Sequence, residues 1–310
     1  MQLLPQIWNR RSVWIVPLFF GTFGALIVLG QPAVRGQSIP GGSSASQTQS
    51  TFSTGVNLVE VYATVTDRGG QPVTGLTAAD FEVREDRVPQ AITTFAAGEF
   101  PLSVTIALDR SFSMAGQRLA LSKQAARTFI AALRPADEVV VLAIGSEITT
   151  ITPPVSAREA GATRWESIDA WGTTPLYDAT LSAVNAIEAA SGRRALILIS
   201  DGTDRYSQTK SADLLDRVRR KDVLIYPVAL GRTRDAVFAE MATVTGGRSF
   251  QVANVAALPG ALSSIAGELR FQYLIGYGPP AGGRPGWRSI QVRVNRPDVR
   301  VRAREGYVAP

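Results

Sequence analysis

The fold of this chain follows from residues 104–114, VTIALDRSFSM. The first five residues are apolar or β-branched, and the polar residues Asp109, Ser111 and Ser113 come directly after them. Three more apolar runs lie further along the chain, at residues 139–144, 196–199 and 223–230. These runs are nearly continuous rather than alternating, which indicates strands buried on both faces, as in a parallel sheet.

Segments with helical spacing of apolar residues separate these runs. They lie at residues 118–133, 175–190, 213–221 and 235–245. Alternation of strand and helix across residues 100–268 predicts an α/β fold with a doubly wound, mostly parallel sheet.

The two flanks of this region, residues 54–98 and 270–308, have strand patterns instead. Strands are predicted at residues 56–66, 80–83, 91–95, 271–277, 287–295 and 299–304. The charged residues Glu85, Asp86 and Arg87 are expected at a solvated hairpin tip. Neither flank is large enough to form a good core alone, so we expect the two to pair into one small β-sandwich.

The N-terminal residues 1–36 have the pattern of an export signal. Arg10 and Arg11 precede an uncharged, mostly apolar stretch at residues 13–30. A basic region followed by an apolar region is typical of a signal peptide. The stretch is also just long enough for an uncleaved single-pass membrane anchor, and both alternatives remain open. In either case the rest of the chain is expected outside the cytoplasm: periplasmic, in the cell envelope or secreted. Residues 37–53 are rich in Ser, Gln and Gly and are expected to be a flexible linker.

Composition excludes many kinds of chemistry. The chain has no His and no Cys, which excludes Ser-His-Asp and Cys-His catalysis, Cys/His zinc sites and disulfides. Without residues 1–36 the chain has 29 basic and 26 acidic residues, too small an excess to indicate nucleic-acid binding. The aromatic residues of the C-terminal flank have strand spacing, which is more typical of sheet packing than of a nucleic-acid surface.

Polar residues lie in three loops that are predicted at one edge of the sheet. Asp109, Ser111 and Ser113 end the first buried strand, Thr173 precedes the helix that begins near residue 175, and Asp201 ends another buried strand. Ligands bind at the carboxyl ends of strands in such sheets. An Asx-turn or helix N-cap also explains Asp109 to Ser113 taken alone. The three loops together supply an oxygen-only set that suits a hard cation, Mg²⁺, Mn²⁺ or Ca²⁺.

With these motifs, residues 100–268 resemble a von Willebrand factor type A domain, whose metal-ion-dependent adhesion site has the same three parts. The flanks look like those of secreted proteins with such domains that are common in acidobacteria. The resemblance implies that Ser111 and Ser113 bind the metal through their hydroxyls and that Thr173 binds directly or through water. Asp109 and Asp201 would act mainly through water and hydrogen bonds. A partner protein would complete the metal's coordination with an Asp or Glu.

Three residues depart from the family's pattern. Arg110 and Phe112 stand where small residues are common, and Trp171 stands where Gly is frequent. Their bulk either narrows the ligand opening or adds apolar contacts to it. Asp204 is either a second acid near the metal or a solvated loop carboxylate.

We therefore expect a metal-dependent protein-binding module that catalyses nothing. One alternative is a structural or assembly role in the envelope with a vestigial metal site. Another is a hydrolase that uses Ser207 and Lys210, which form an S-x-x-K tetrapeptide. The companion K-T-G motif of that enzyme class is missing.

Overall fold

The computed structural model describes residues 58–163, 165, 168–232, 236–280 and 285–310. The predicted export signal and linker lie outside these residues. Within the part that is described, no helix is both long and apolar enough to cross a membrane.

The described residues form fourteen strands and six α-helices, numbered along the chain. The strands are β1 (Val59–Asp67), β2 (Phe81–Glu85), β3 (Val88–Gln90), β4 (Ile92–Gly98), β5 (Leu102–Asp109), β6 (Glu138–Ile144), β7 (Ile148–Ser156), β8 (Arg193–Ser200), β9 (Leu224–Leu230), β10 (Phe250–Val252), β11 (Gln272–Tyr277), β12 (Gly286–Val294), β13 (Val299–Arg302) and β14 (Gly306–Ala309). The helices are α1 (Gln117–Ala132), α2 (Ala157–Ala160), α3 (Leu176–Glu188), α4 (Ser211–Arg219), α5 (Ala236–Thr245) and α6 (Leu258–Arg270).

A six-stranded sheet forms the centre, in the order β10-β9-β8-β5-β6-β7. All its pairings are parallel except that of β7 with β6. Every residue of β5 is buried, because α1 and α6 cover one face of the sheet and α3, α4 and α5 cover the other. The prediction of a doubly wound, mostly parallel sheet is confirmed.

Some elements were not expected from sequence. Strand β7 has the sequence ITTITPPVS, whose two prolines fit only an edge strand, and most of its residues are at least partly exposed. Helix α6 had a usable signal, since Leu258, Leu262, Ile265 and Leu269 all lie on its buried side at helical spacing. Strands β3, β10 and β14 have three or four residues each, too few for a reliable pattern.

Two four-stranded sheets, ordered β13-β1-β11-β4 and β14-β12-β2-β3, flank the central sheet. Each combines strands from both ends of the chain, as in the antiparallel pairs of β1 with β11 and of β2 with β12. Their inward residues form one apolar core that includes Val61, Val83, Tyr273 and Ile290. The predicted β-sandwich of N- and C-terminal strands is therefore present.

The predicted hairpin tip at Glu85 to Arg87 is correct only in part. Asp86 and Arg87 have positive φ angles of 47° and 70° and are exposed, as a tight hairpin turn requires. Glu85 is only 2% exposed, because its side chain points into the sandwich. There it accepts hydrogen bonds from Tyr277 (2.8 Å), Tyr307 (3.0 Å) and Arg288 (2.5 Å). A buried carboxylate with three donors was mistaken for a solvated one because all three donors come from the other end of the chain.

A second buried carboxylate joins the sandwich to the α/β region. Glu268 on α6 is 1% exposed and accepts hydrogen bonds from Arg248 (2.8 Å) and from Arg302 of β13 (2.6 Å). Arg193, at the start of β8, is also buried and donates to the carbonyl oxygens of Leu269 and Phe100. Burial lowers the pKa of Arg193 to about 10.

Candidate functional site

The loop after β5 has a compact, hydrogen-bonded conformation. The Ser111 amide donates to Asp109 Oδ1 at 2.8 Å, and a single turn of 3-10 helix, Phe112–Met114, follows. The hydroxyls of Ser111 and Ser113 lie 3.0 Å apart. The Asx-turn interpretation therefore holds for Asp109, whereas the N-cap of α1 is Gly116, with no side-chain cap. The turn brings two neutral hydroxyl oxygens together beside a carboxylate.

Asp109 lies at the bottom of this site and is fully buried. Its Oδ1 also accepts a hydrogen bond from Thr174 (3.1 Å), and its Oδ2 accepts one from Ser200 (2.6 Å). Burial raises the pKa of Asp109, and the negative charge of Asp201 raises it further. Ser200 and Thr174 were not identified from sequence. Each adjoins a predicted site residue, and only the fold shows which of the neighbouring hydroxyls faces the carboxylate.

The second loop, which contains Thr173, packs directly on the first. The Phe112 amide donates to the Gly172 carbonyl (3.1 Å), and the Trp171 amide donates to the Arg110 carbonyl (2.7 Å). The Thr173 amide donates to Ser146 Oγ at 3.1 Å. The first two of these bonds hold the segment before Thr173 against the loop that contains Ser111 and Ser113.

The third loop, after β8, contains Asp201 and Asp204. The Asp201 carboxylate accepts a hydrogen bond from the Thr203 amide (3.0 Å) and is close enough to Asp109 to affect its pKa. The Arg205 amide donates to the Thr174 carbonyl (2.8 Å), which ties this loop to the second. The structure thus brings Asp109, Asp201 and the two hydroxyl-bearing loops to the same edge of the sheet.

Asp204 has a different environment. Its Oδ1 accepts hydrogen bonds from the Tyr177 amide (3.1 Å) and from the Ser207 hydroxyl (2.5 Å). The Ser207 oxygen in turn accepts from the amides of Tyr177 and Asp178, at the start of α3. Asp204 and Ser207 therefore hold the first turn of that helix, which explains both residues without catalysis by Ser207 and Lys210.

The charge around the two site carboxylates is not balanced by protein cations. Neither Asp109 nor Asp201 forms an ion pair with an arginine or lysine within the described residues. Those residues also contain no group of three or more Asp or Glu side chains that would bind a metal alone. A cation here would need the Ser and Thr hydroxyls together with the two carboxylates, a donor set of oxygens only that suits Mg²⁺, Mn²⁺ or Ca²⁺.

Each of the three loops also exposes one aromatic side chain. Phe112 is 66% exposed, Trp171 is 42% exposed and Tyr206 is 79% exposed. The Arg110 guanidinium lies over the Trp171 ring, 5.2 Å from its centre. The sequence left two effects for Phe112 and Trp171: their bulk either narrows the ligand opening or adds apolar contacts to it. The exposure of both rings favours the apolar contacts.

Comparison with known proteins agrees with this architecture. A family model for the von Willebrand factor type A domain matches residues 104–203, which include all five predicted metal ligands. The chain contains a von Willebrand factor type A domain. Such domains generally mediate metal-dependent protein interactions and are typically not enzymes.

Relatives of this von Willebrand A domain include animal proteins. Human inter-alpha-trypsin inhibitor heavy chain H4 is 26% identical over 144 residues, which are 42% of this chain and 15% of that protein. Its bovine counterpart is 28% identical over 133 residues, or 39% of this chain and 14% of that protein. The chain thus matches only about one seventh of the length of these relatives.

Solved structures show the same fold. Proximal thread matrix protein 1 of the mussel byssus, whose metal-ion-dependent adhesion site is occupied by zinc, superposes with a TM-score of 0.50. The match covers 58% of this chain and 49% of that protein at 12% sequence identity. At this identity the similarity supports the von Willebrand A fold alone.

Proposed function

We propose that this von Willebrand A domain binds a divalent cation between its three loops and, through the cation, a carboxylate of a protein partner. The observation that carries the proposal is the 3.0 Å approach of the Ser111 and Ser113 hydroxyls beside the buried Asp109 carboxylate. Two neutral hydroxyls cancel none of the cation's charge. The cation would therefore keep its attraction for an Asp or Glu offered from outside.

The proposed roles of the five ligands differ. Ser111, Ser113 and Thr173 would coordinate the metal, with Thr173 bound directly or through water. Both oxygens of Asp109 already accept hydrogen bonds from Ser111, Thr174 and Ser200. Asp109 would therefore act mainly by holding the loop and by its charge, and Asp201 would act through water. This division agrees with the family resemblance.

The exposed aromatic residues support a protein as the partner. Large aromatic side chains supply much of the binding energy of protein interfaces. Phe112, Trp171 and Tyr206 are exposed in the three loops that contain the proposed ligands, so they would contact a partner that presents the carboxylate. We therefore expect apolar residues next to the partner's acidic residue.

The nature of the cation and the place of action are part of the same proposal. The oxygen-only donor set favours Mg²⁺, with Mn²⁺ or Ca²⁺ as alternatives, although the related mussel protein holds zinc. The N-terminal pattern of residues 1–36 supports export to the periplasm, the envelope or the medium. It also leaves open an uncleaved membrane anchor.

Thermal unfolding with and without metal tests the proposal. Millimolar Mg²⁺ or Mn²⁺ should raise the melting temperature relative to EDTA, since a ligand at 100 times its Kd adds about 2.7 kcal/mol of stability. Asp109→Ala and Ser113→Ala should abolish the increase. Ser113→Ala is the cleaner variant, because its side chain is exposed and bonds only Ser111 among the described contacts.

Ser264→Ala is the matched control. Ser264 is an exposed serine on α6 that bonds a backbone carbonyl, and its removal should leave the metal effect intact. No metal-induced stabilisation of the wild-type protein would refute the metal site. A pull-down from envelope extract should retain the partner in Mg²⁺ and lose it in EDTA. Retention in both conditions would favour the alternative of an assembly protein with a vestigial site.

A further inference from the structure

A large cleft lies near the end of the central sheet that is opposite the proposed metal site. Its volume is about 850 Å³, and it is lined by α5 and the segment after it, by β12 and by residues 300–305. Residues 247–249 of its wall precede β10, so they belong to the amino end of the parallel strands. The proposed metal ligands follow the carboxyl ends. The cleft is therefore a separate surface.

The cleft is strongly basic. Its lining contains five arginines and one acidic residue, namely Arg248, Arg293, Arg300, Arg302, Arg304 and Glu305. Arg248 and Arg302 share the buried Glu268, and Arg304 contacts Asp222 at 3.2 Å. Even with these two acids counted, the arginines remain in excess.

Two of these arginines lack an acidic partner. Arg293 and Arg300 are exposed, and neither forms an ion pair or a hydrogen bond among the described contacts. Arg293 and Arg300 thus leave two guanidinium groups available for an anionic ligand, and the planar shape of these groups suits bidentate binding of carboxylates.

The arrangement of the arginines follows from the strand geometry. Side chains alternate along β13, and Val299 and Val301 pack toward the sandwich core. Arg300 and Arg302 therefore lie on the opposite face, two residues apart. Ile290, Val292, Val301 and Ala303 also line the cleft, and all four belong to the sandwich core or pack against it.

From these observations we infer that the cleft binds an extended acidic peptide segment with Glu or Asp at every second position. Alternate side chains of an extended peptide point the same way, so this spacing of acidic residues would match the spacing of Arg300 and Arg302. The β13 strand is also at the edge of its sheet, so one side of its backbone lacks a strand partner within the described residues. The cleft is lined by no aromatic residue, which disfavours single-stranded nucleic acid as the ligand.

Fluorescence anisotropy with a labelled peptide of alternating Glu and Val tests this inference. The full chain should bind the peptide, and a peptide with Gln in place of every Glu should bind much more weakly. Arg293→Ala combined with Arg300→Ala should weaken binding about tenfold, since each arginine would supply one charge-assisted contact. Because neither arginine bonds another residue among the described contacts, the double variant should melt like the wild-type protein.

A second double variant controls for net charge. Arg158→Ala with Arg217→Ala removes two exposed arginines outside the cleft and should change affinity less than about twofold. Equal weakening by both double variants would overturn the inference, as would tighter binding of an oligothymidylate than of the peptide. Binding should persist in EDTA and in Ser113→Ala. Loss of binding under either condition would place the peptide at the metal site and would also overturn the inference that it binds in the cleft.

Discussion

At the scale of single residues, Gly172 determines whether Thr173 can approach the other proposed ligands. Its φ angle is +78°, and a Cβ atom there would lie 2.4 Å from Ser146 Oγ and 2.7 Å from Ser146 N. Ser146 Oγ accepts the hydrogen bond from the Thr173 amide. A clash between a Cβ atom at residue 172 and Ser146 would therefore displace Thr173 as well. In the sequence, a glycine a few positions before a helix would normally pass as an ordinary turn residue.

We predict that Gly172→Ala destabilises the protein by about 2–4 kcal/mol, from backbone strain together with the clash. It should also remove the stabilisation by Mg²⁺. Gly75→Ala is the matched control, since Gly75 has a φ of +77° and a Cβ atom added there would meet nothing within 4 Å. Gly75→Ala should cost only about 1 kcal/mol and should leave the metal effect unchanged. Urea unfolding with Mg²⁺ and with EDTA measures both effects, and equal costs for the two variants would contradict the steric explanation.

Tyr307 gives a prediction about alkaline pH. Burial, helped by the hydrogen bond to Glu85, raises the pKa of Tyr307 from 10.0 to about 12. The folded protein therefore keeps this proton at a pH where the unfolded chain loses it. The resulting stability is fully present below about pH 10 and is lost as the pH rises through about 12.

The comparison of Tyr307→Phe with the wild-type protein isolates this effect. Their difference in unfolding free energy should be constant from about pH 8 to 10 and should shift in favour of the Phe variant as the pH approaches 12. Urea unfolding across this range, with absorbance titration of the tyrosines, measures it. A difference that stays constant up to pH 12 would show that Glu85 and burial do not hold the Tyr307 proton.

At the scale of secondary structure elements, the site depends on three loops that leave one sheet edge. Strands β5 and β8 are adjacent and parallel, so the residues after Asp109 and after Ser200 emerge side by side. The loop before α3 reaches the same edge, because α3 packs on the sheet beside them. Asp109 and Asp201, which are 92 residues apart in sequence, thus lie at the same edge of the sheet.

The contacts of Glu268 show how elements from different parts of the fold depend on one carboxylate. Glu268→Gln should destabilise the protein by about 3 kcal/mol, because it leaves Arg248 and Arg302 without their buried acidic partner. Asp216→Asn is the control, since the Asp216–Arg220 pair (3.0 Å) is exposed and should be worth less than about 1 kcal/mol. Chemical denaturation compares the two, and a small effect of Glu268→Gln would argue against this network.

At the scale of the whole molecule, the β-sandwich combines strands that precede the α/β domain in sequence with strands that follow it. Strand β1 pairs with β11 and β13, and β12 pairs with β2, so the two central strands of each sandwich sheet come from opposite ends of the chain. The α/β domain lies between these two segments in sequence. The sandwich can therefore form only after residues on both sides of that domain come together.

We predict that residues 54–98 and residues 270–310, expressed separately, do not fold cooperatively, because each lacks half of the shared core. Circular dichroism should show little regular structure in either peptide, and heating should give no sigmoidal transition. The intact chain, measured in parallel, should give such a transition. Cooperative melting of either peptide alone would mean that the sandwich is not jointly built.

The sequence by itself determined the fold class and the chemistry that the domain is able to offer. Continuous apolar runs require strands buried on both faces, and a chain without His or Cys leaves only oxygen ligands for a metal. The order of the motifs at Asp109, Thr173 and Asp201 then pointed to the sheet edge where they meet. These features depend on local composition and spacing, which the sequence displays directly.

Only the tertiary structure decided which polar side chains face one another. The hydrogen bonds from Thr174 and Ser200 to Asp109 and those that bury Glu85 join residues distant in sequence. Such contacts depend on strand order and on side-chain direction, and neither leaves a periodic pattern. A charged residue next to a turn looks the same in sequence whether water or three buried donors surround it.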